Sequence, residues 1–93
     1  MTSIDEARDH ALQARRAMMA VRPDGPFPPL PAGTTEPGLG CAHWFETAAL
    51  LYSLAGQAFA AGDSLTGHTY EIWAFQHLQL GQICESQTGL DTP

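Results

Sequence analysis

The sequence predicts an all-α protein with an N-terminal helix, a long strap rich in proline and glycine, and an antiparallel helical hairpin. Three segments carry apolar residues at helical spacings of three and four, which is the main signal for helices. Only Gly62 and Asp63 separate the second helical segment from the third, so the second and third helices must form an antiparallel hairpin. With 93 residues, 44% of them hydrophobic and 15% charged, the chain is expected to form one small packed domain over residues 1–93.

The first helix is predicted to span about residues 3–22. Ser3 and Glu6 have the spacing of a capping box, in which the hydroxyl accepts a hydrogen bond from an amide of the first turn. The helix should end before Pro23, which disfavours helical backbone in the residue that precedes it. Its apolar seam, rich in alanine, comprises Ile4, Ala7, Ala11, Ala14, Met18 and Val21.

The same helix carries Arg8, Arg15 and Arg22 seven residues apart on another face. A row of charged residues at this spacing is typical of a helix face in contact with water. We therefore expect this arginine row, defined as Arg8, Arg15 and Arg22, to be solvated.

The strap is predicted to span residues 23–40. Residues 22–40 contain six of the seven prolines and four of the nine glycines, a density that excludes regular secondary structure. We expect Phe27 and Leu30 to anchor the strap on the helices. The alternative is that Phe27 to Pro31 is a ligand for a proline-recognition domain.

The hairpin helices are predicted over about residues 41–61 and 64–86, with a frayed tail at 87–93. Gly62 suits the end of one helix, and Asp63 or Ser64 suits the start of the next. The second helix has one broad apolar face, whereas the third is apolar on nearly all sides. A turn centred on Gly62 and Asp63 places Trp44 level with Gly81, and the glycine would make room for the indole.

The same register places Cys41 level with Cys84. The two residues are interpreted either as adjacent small apolar side chains or as a disulfide. A catalytic thiol is the least favoured interpretation. The only basic residue nearby in the sequence that could lower the cysteine pKa is His43, which does not share a helix face with Cys41.

His43 with Glu46 and His68 with Glu71 are the candidate metal-binding or acid–base residues. Residues three apart share a helix face, so each pair could reach one metal ion or one proton. The register separates the two pairs by roughly 21 Å along the hairpin, so a metal site could form only between subunits or with help from His10 or His77. We therefore expect surface and interface roles for them, and we predict no metal and no cofactor.

A homodimer built around the hairpin helices is expected, because a lone three-helix chain would leave apolar side chains of the third helix in water. Ile72, Phe75 and Leu80 are expected to be the stranded residues. Glutamines of the same helix could hydrogen-bond across the two-fold axis. The predicted interface residues are Ile72, Phe75, Gln76, Gln79, Leu80 and Ile83.

The net charge of the chain excludes some classes of binding partner but does not identify a specific function. The chain has four arginines, no lysine and a formal net charge of −6, which argues against binding to nucleic acid or to an anionic membrane. The N-terminal sequence lacks the pattern of a signal peptide, so a cytoplasmic protein is expected. The absence of lysine and asparagine suggests a GC-rich genome, such as that of an actinobacterium or one of its phages.

We expect a noncatalytic protein that acts by protein–protein interaction, as a dimeric adaptor, an inhibitor or a regulatory subunit, binding itself and another protein. The alternative is a helical bundle that binds a metal or a small ligand, and such a bundle could be an enzyme. A structural component of a particle is a third possibility. An enzyme is the less favoured interpretation, since the sequence contains no catalytic motif.

Overall fold

A computed structural model describes the backbone of residues 3–23 and 40–91 and the side chains of residues 3–23 and 40–87. These residues form three helices, α1 (Ile4–Val21), α2 (Cys41–Ala60) and α3 (Ser64–Asp91). The prediction of an all-α fold is confirmed. The predicted strap anchors Phe27 and Leu30 lie outside the described residues.

The helix ends follow from local hydrogen bonds. At the start of α1, the Glu6 amide donates to Ser3 Oγ at 3.1 Å, which satisfies one of the amides that lack a helical partner. Gly62, after α2, has a φ of +83° that glycine adopts without strain. Asp63 Oδ1 then accepts from the Thr66 amide at 3.2 Å and caps α3. The predicted end of α3 near residue 86 is too early, since the helix continues to Asp91.

Helix α1 runs parallel to α2 and antiparallel to α3. His10 of α1 contacts Glu46 of α2, and Met18, further along α1, lies beside Gly56, further along α2. The residue numbers therefore rise together along the two helices, as they do in a parallel pair. Parallel neighbours need a connection that returns along the length of a helix, and α1 is about 27 Å long at 1.5 Å per residue. This requirement explains why a long strap joins α1 to α2, whereas a short turn suffices between α2 and α3.

Helices α2 and α3 interlock through aromatic residues on α2 and small residues on α3. The Phe45 ring covers Gly81, where an added Cβ would lie 2.9 Å from two ring atoms. Fourteen residues away on each helix, the Phe59 ring covers Gly67, where an added Cβ would lie 2.5 Å from the ring. Real Cβ atoms do not approach carbon this closely, so glycine is required at both places.

The residue that Gly81 accommodates is therefore Phe45, and the expectation that Gly81 faces Trp44 is wrong. Trp44 packs instead against His77, with ring centroids 5.7 Å apart. The hairpin is antiparallel as expected. However, adjacent residues on a helix point about 100° apart, and Phe45 occupies the position that meets the glycine.

The core lies where the small-residue seam of α1 meets α2, and it also includes residues of α3. Small side chains in the seam allow close approach of neighbouring helices, and larger residues from α2 and α3 fill the remaining space. The cluster of buried core residues comprises Ala7, Ala11, Met18, Phe45, Ala48, Tyr52, Ala55, Phe59, Ala74 and Leu78.

The arginine row faces α3, so the expectation of a solvated row is wrong. Arg8 forms a salt bridge with Glu85 near one end of α1. Seven residues along, the Arg15 guanidinium carbon lies 5.0 Å from the centroid of the Phe75 ring. At the other end of the helix, Arg22 Nε donates to Glu71 Oε2 at 2.7 Å. The heptad spacing thus directs three long cationic side chains across the gap between α1 and α3.

Candidate functional site

Among the described residues, the most exposed apolar surface lies along one side of α3. We call this side the outer face and define it as Leu65, Thr69, Ile72, Trp73 and Gln76. Leu65 is 81% exposed, Trp73 49% and Ile72 36%. Positions 65, 69, 72, 73 and 76 fall on one side of a helix with 3.6 residues per turn. A water-exposed apolar stripe of this kind is typical of an interaction surface.

The packing of α3 determines which of its sides is the outer face. Gly67 and Gly81 meet α2, whereas Glu71 and Glu85 reach α1. Leu65 and its neighbours are directed away from both contacts. The sequence contains a signal for this assignment, because the small residues Gly67, Ala74 and Gly81 of α3 recur every seven residues. Small residues on one side of a helix mark the side that approaches another helix most closely.

The predicted interface residues are distributed over different sides of α3. Ile72 and Gln76 belong to the outer face, and Ile83 is half-buried one heptad beyond Gln76. Phe75 and Leu80 are already buried in the single chain, at 8% and 4% exposure, so the expectation that a lone chain would leave them in water is wrong. The physical reason for Phe75 is its position under Arg15 and beside Tyr52.

The remaining predicted interface residue, Gln79, lines a cavity between α1 and α3 together with Gln82. The interface prediction also omitted Leu65 and Trp73, the two most exposed large apolar residues in the described part of α3. Both were visible in the sequence as apolar residues of α3. Their exposure could not be assigned without knowing that α1 covers the side of the helix that carries Phe75.

The candidate pair His68 and Glu71 is brought together with Arg22 in an ion-pair cluster. Glu71 is fully buried, and its carboxylate contacts Arg22 Nε at 2.7 Å and His68 Nδ1 at 3.1 Å. The Arg22 side chain is 4% exposed, whereas that of His68 is 41% exposed. A buried carboxylate is tolerated only with such partners. The cluster therefore joins the end of α1 to the first turns of α3.

The other candidate pair is separated by the fold. Glu46 Oε1 lies 3.1 Å from His10 Nδ1 on α1, while the ring of His43 packs edge-on against Trp44. Among the residues that the structure describes, no group of three or more His, Cys, Asp or Glu side chains could hold a metal ion. The Glu46 contact therefore links α1 to α2 at the surface.

Tyr52 places a hydroxyl in the middle of the core. The side chain is fully buried, and among the described residues its Oη has no hydrogen-bond partner. Burial raises the pKa of the Tyr52 hydroxyl, and the charge of Arg15 opposes this shift while that of Glu71 adds to it. The phenol therefore stays protonated at neutral pH and acts as a core residue.

Cys41 and Cys84 are joined as a disulfide in the structure, with Cα atoms 5.4 Å apart. They lie at the end of the hairpin opposite the Gly62 turn. The bond links residues 43 positions apart, so it restricts the unfolded chain and stabilises the pairing of α2 with α3.

No protein family, no curated protein and no solved structure matches this chain. In the part of the chain that the structure describes, none of the helices has the length and apolar character needed to cross a membrane. Inferences about function therefore depend on the chemistry and placement of the chain's own residues.

Proposed function

We propose that the protein is noncatalytic and acts by protein–protein interaction through the outer face of α3, with a second copy of the chain as its first partner. The observation that carries this proposal is the exposure of Leu65, Ile72 and Trp73 on one side of a single helix. Each large apolar side chain removed from water contributes about 1.5–3 kcal/mol. A partner that covers all three therefore gains substantial binding free energy.

The charge distribution favours a second copy as the partner. The chain carries a net charge of −6, so most approaches of two copies bring like charges together. From Ser64 to Cys84 the sequence has one Asp, Glu, Lys or Arg residue, and this is Glu71, which is buried. A two-fold axis through this neutral face pairs apolar surface with apolar surface without that repulsion. A dimer of hairpins would then serve as an adaptor, an inhibitor or a regulatory subunit.

The cellular compartment in which the protein acts is a further part of this proposal, and two observations bear on it. The sequence favours the cytoplasm, whereas a disulfide between Cys41 and Cys84 persists best in an oxidising compartment. Thiol labelling of the protein, quenched at lysis of its native host, separates the two locations. Blocked cysteines would favour the oxidising compartment, and free thiols would favour the cytoplasm.

Light scattering of the full chain over a wide range of concentration tests the pairing. Trp73→Glu removes the central apolar contact of the outer face, and Leu50→Glu is the matched control because Leu50 is 61% exposed on α2. We expect twice the single-chain mass of 10.0 kDa for the wild type and for Leu50→Glu. Trp73→Glu should remain a monomer. A wild-type monomer at every concentration would overturn the second copy as partner.

A further inference from the structure

The disulfide between Cys41 and Cys84 is asymmetric, because its two cysteines have different surroundings. Cys41 is 7% exposed, whereas Cys84 is only half-buried. The rate at which a thiol exchanges with a disulfide depends on which sulfur the attacking thiolate can reach. It also depends on how readily the other sulfur leaves as a thiolate. The two cysteines differ in both respects.

Cys84 is the cysteine that a thiol in solution can reach. It lies near the end of α3, where Ile83 and Glu85 are also half-buried and Ser86 is exposed. Cys41 is covered at the start of α2, close in the sequence to two aromatic side chains that are packed into the hairpin, Trp44 and Phe45. A thiol therefore meets Cys84 without opening the hairpin, whereas the fold shields Cys41.

Cys41 is the better leaving group of the two. It is the first residue of α2, and the partial positive charge at a helix N-terminus stabilises a thiolate. The first turn of α2 contains no acidic residue that would oppose this effect. Cys84 lies in the interior of α3, away from the N-terminus of that helix. Negative charge is therefore better accommodated on Cys41 than on Cys84.

The charges beside Cys84 discriminate between thiols. Glu85 follows it in the sequence, and Arg8 forms salt bridges with both Glu85 and Asp5. Two carboxylates and one guanidinium leave a net negative charge at this end of the bundle, and the whole chain carries −6. A negatively charged thiol is therefore repelled, whereas an uncharged or a cationic thiol is not.

We propose that Cys84 is a site of reversible modification by an uncharged or cationic thiol of low molecular weight. The thiolate attacks Sγ of Cys84 and forms a mixed disulfide there. The bond to Cys41 breaks, and its electron pair leaves on Cys41 as a thiolate. The exchange involves no net oxidation or reduction, so it needs no further reactant. Attack by Cys41 on the mixed disulfide restores the original bond and releases the thiol.

The modification site is separate from the outer face of α3. Cys84 follows Gln76 by eight residues, which is about 12 Å along the helix. When the disulfide opens, the Arg8–Glu85 salt bridge and the contact between Phe45 and Gly81 still join the three helices at this end. Exchange at Cys84 and pairing of two copies can therefore be measured independently.

Peptide mapping of the full chain tests which sulfur is modified. The oxidised chain is treated with cysteamine, and the remaining thiols are blocked with N-ethylmaleimide at acidic pH. Cleavage after glutamate then separates the two cysteines, since Glu46 and Glu71 lie between them. We expect cysteamine on Cys84 and N-ethylmaleimide on Cys41 at least about tenfold more often than the reverse.

Three results of this mapping would overturn the proposal. The first is modification mainly of Cys41, or of both cysteines equally. The second is an unreacted chain under conditions in which cysteamine exchanges with 2-hydroxyethyl disulfide. The third is a chain whose two thiols never join when it is oxidised with diamide.

A pair of variants tests the leaving role of Cys41. Ala42→Glu places a carboxylate beside Cys41 in the first turn of α2, and Ala42→Gln is the matched control because it adds a side chain of the same size without charge. We expect exchange with cysteamine to be about threefold slower in Ala42→Glu than in Ala42→Gln. Equal rates in the two folded variants would contradict a developing thiolate on Cys41.

A pair of thiols tests the selection by charge. The rates of cysteamine, which is cationic, and of 3-mercaptopropionate, which is anionic, are each divided by the rate of the same thiol with 2-hydroxyethyl disulfide. At low ionic strength the normalised rate of cysteamine should be at least about threefold higher. High salt should reduce this difference. Equal normalised rates, or a preference for 3-mercaptopropionate, would overturn the proposed class of thiol.

Discussion

Replacement of Gly81 by alanine tests how the hairpin packs. The new Cβ would lie 2.9 Å from two atoms of the Phe45 ring, and Phe45 is fully buried, so the ring has little room to move. Overpacking of this kind costs about 1–3 kcal/mol. Alanine in a helix interior recovers roughly 0.5–1 kcal/mol relative to glycine. We therefore expect Gly81→Ala to lower the free energy of unfolding by about 1–2 kcal/mol.

Gly56→Ala is the matched control on α2, because its Cβ would meet Met18 at an ordinary 3.5 Å. Only the helix-propensity gain remains there, so this variant should be more stable than the wild type by about 0.5–1 kcal/mol. Urea unfolding followed by far-UV circular dichroism measures both variants. The same chemical change should thus have opposite signs at the two positions. If Gly81→Ala stabilises the protein as Gly56→Ala does, Phe45 does not pack on Gly81 and the described register is wrong.

Three further predictions concern stability. Reduction of the Cys41–Cys84 bond, which spans 43 positions, should lower the free energy of unfolding by about 4 kcal/mol; equal urea curves with and without reductant would contradict it. Arg22→Met leaves the buried Glu71 carboxylate without its guanidinium partner and should lower the free energy of unfolding by about 3–5 kcal/mol. A loss below about 1 kcal/mol, typical of exposed ion pairs, would show that Arg22 does not stabilise a buried carboxylate. Tyr52→Phe removes a buried hydroxyl without a partner among the described residues and should stabilise the fold by about 1 kcal/mol at neutral pH. Because the folded pKa of Tyr52 is raised, wild-type stability should fall as pH rises past about 10, and this Tyr52 contribution should be absent from the variant.

The helices and their ends were largely predictable because the signals are local. Ser3 caps α1, and Gly62 and Asp63 form the turn between α2 and α3. The end of α3 was not predictable from a local signal. The sequence after Ser86 contains no proline before Pro93, and the helix continues to Asp91.

The contacts between α1 and α3 could not be predicted, because they depend on how two distant segments are placed. The arginine row has the spacing of a solvated face, and it is the orientation of α1 that turns Arg22 onto the buried Glu71. The same limit applied to Phe75. Its burial depends on Arg15, which lies 60 residues earlier in the chain.

The fluorescence of Trp73 tests the central claim most directly, because this indole lies on the outer face and is 49% exposed in the single chain. In a Trp44→Phe variant, Trp73 is the only remaining tryptophan, so its emission reports on this surface alone. If two copies pair through the outer face, the emission should move to shorter wavelength as the protein concentration rises, with the same midpoint as the increase in mass by light scattering. An emission maximum that keeps the wavelength of a water-exposed indole at every concentration would contradict pairing through α3.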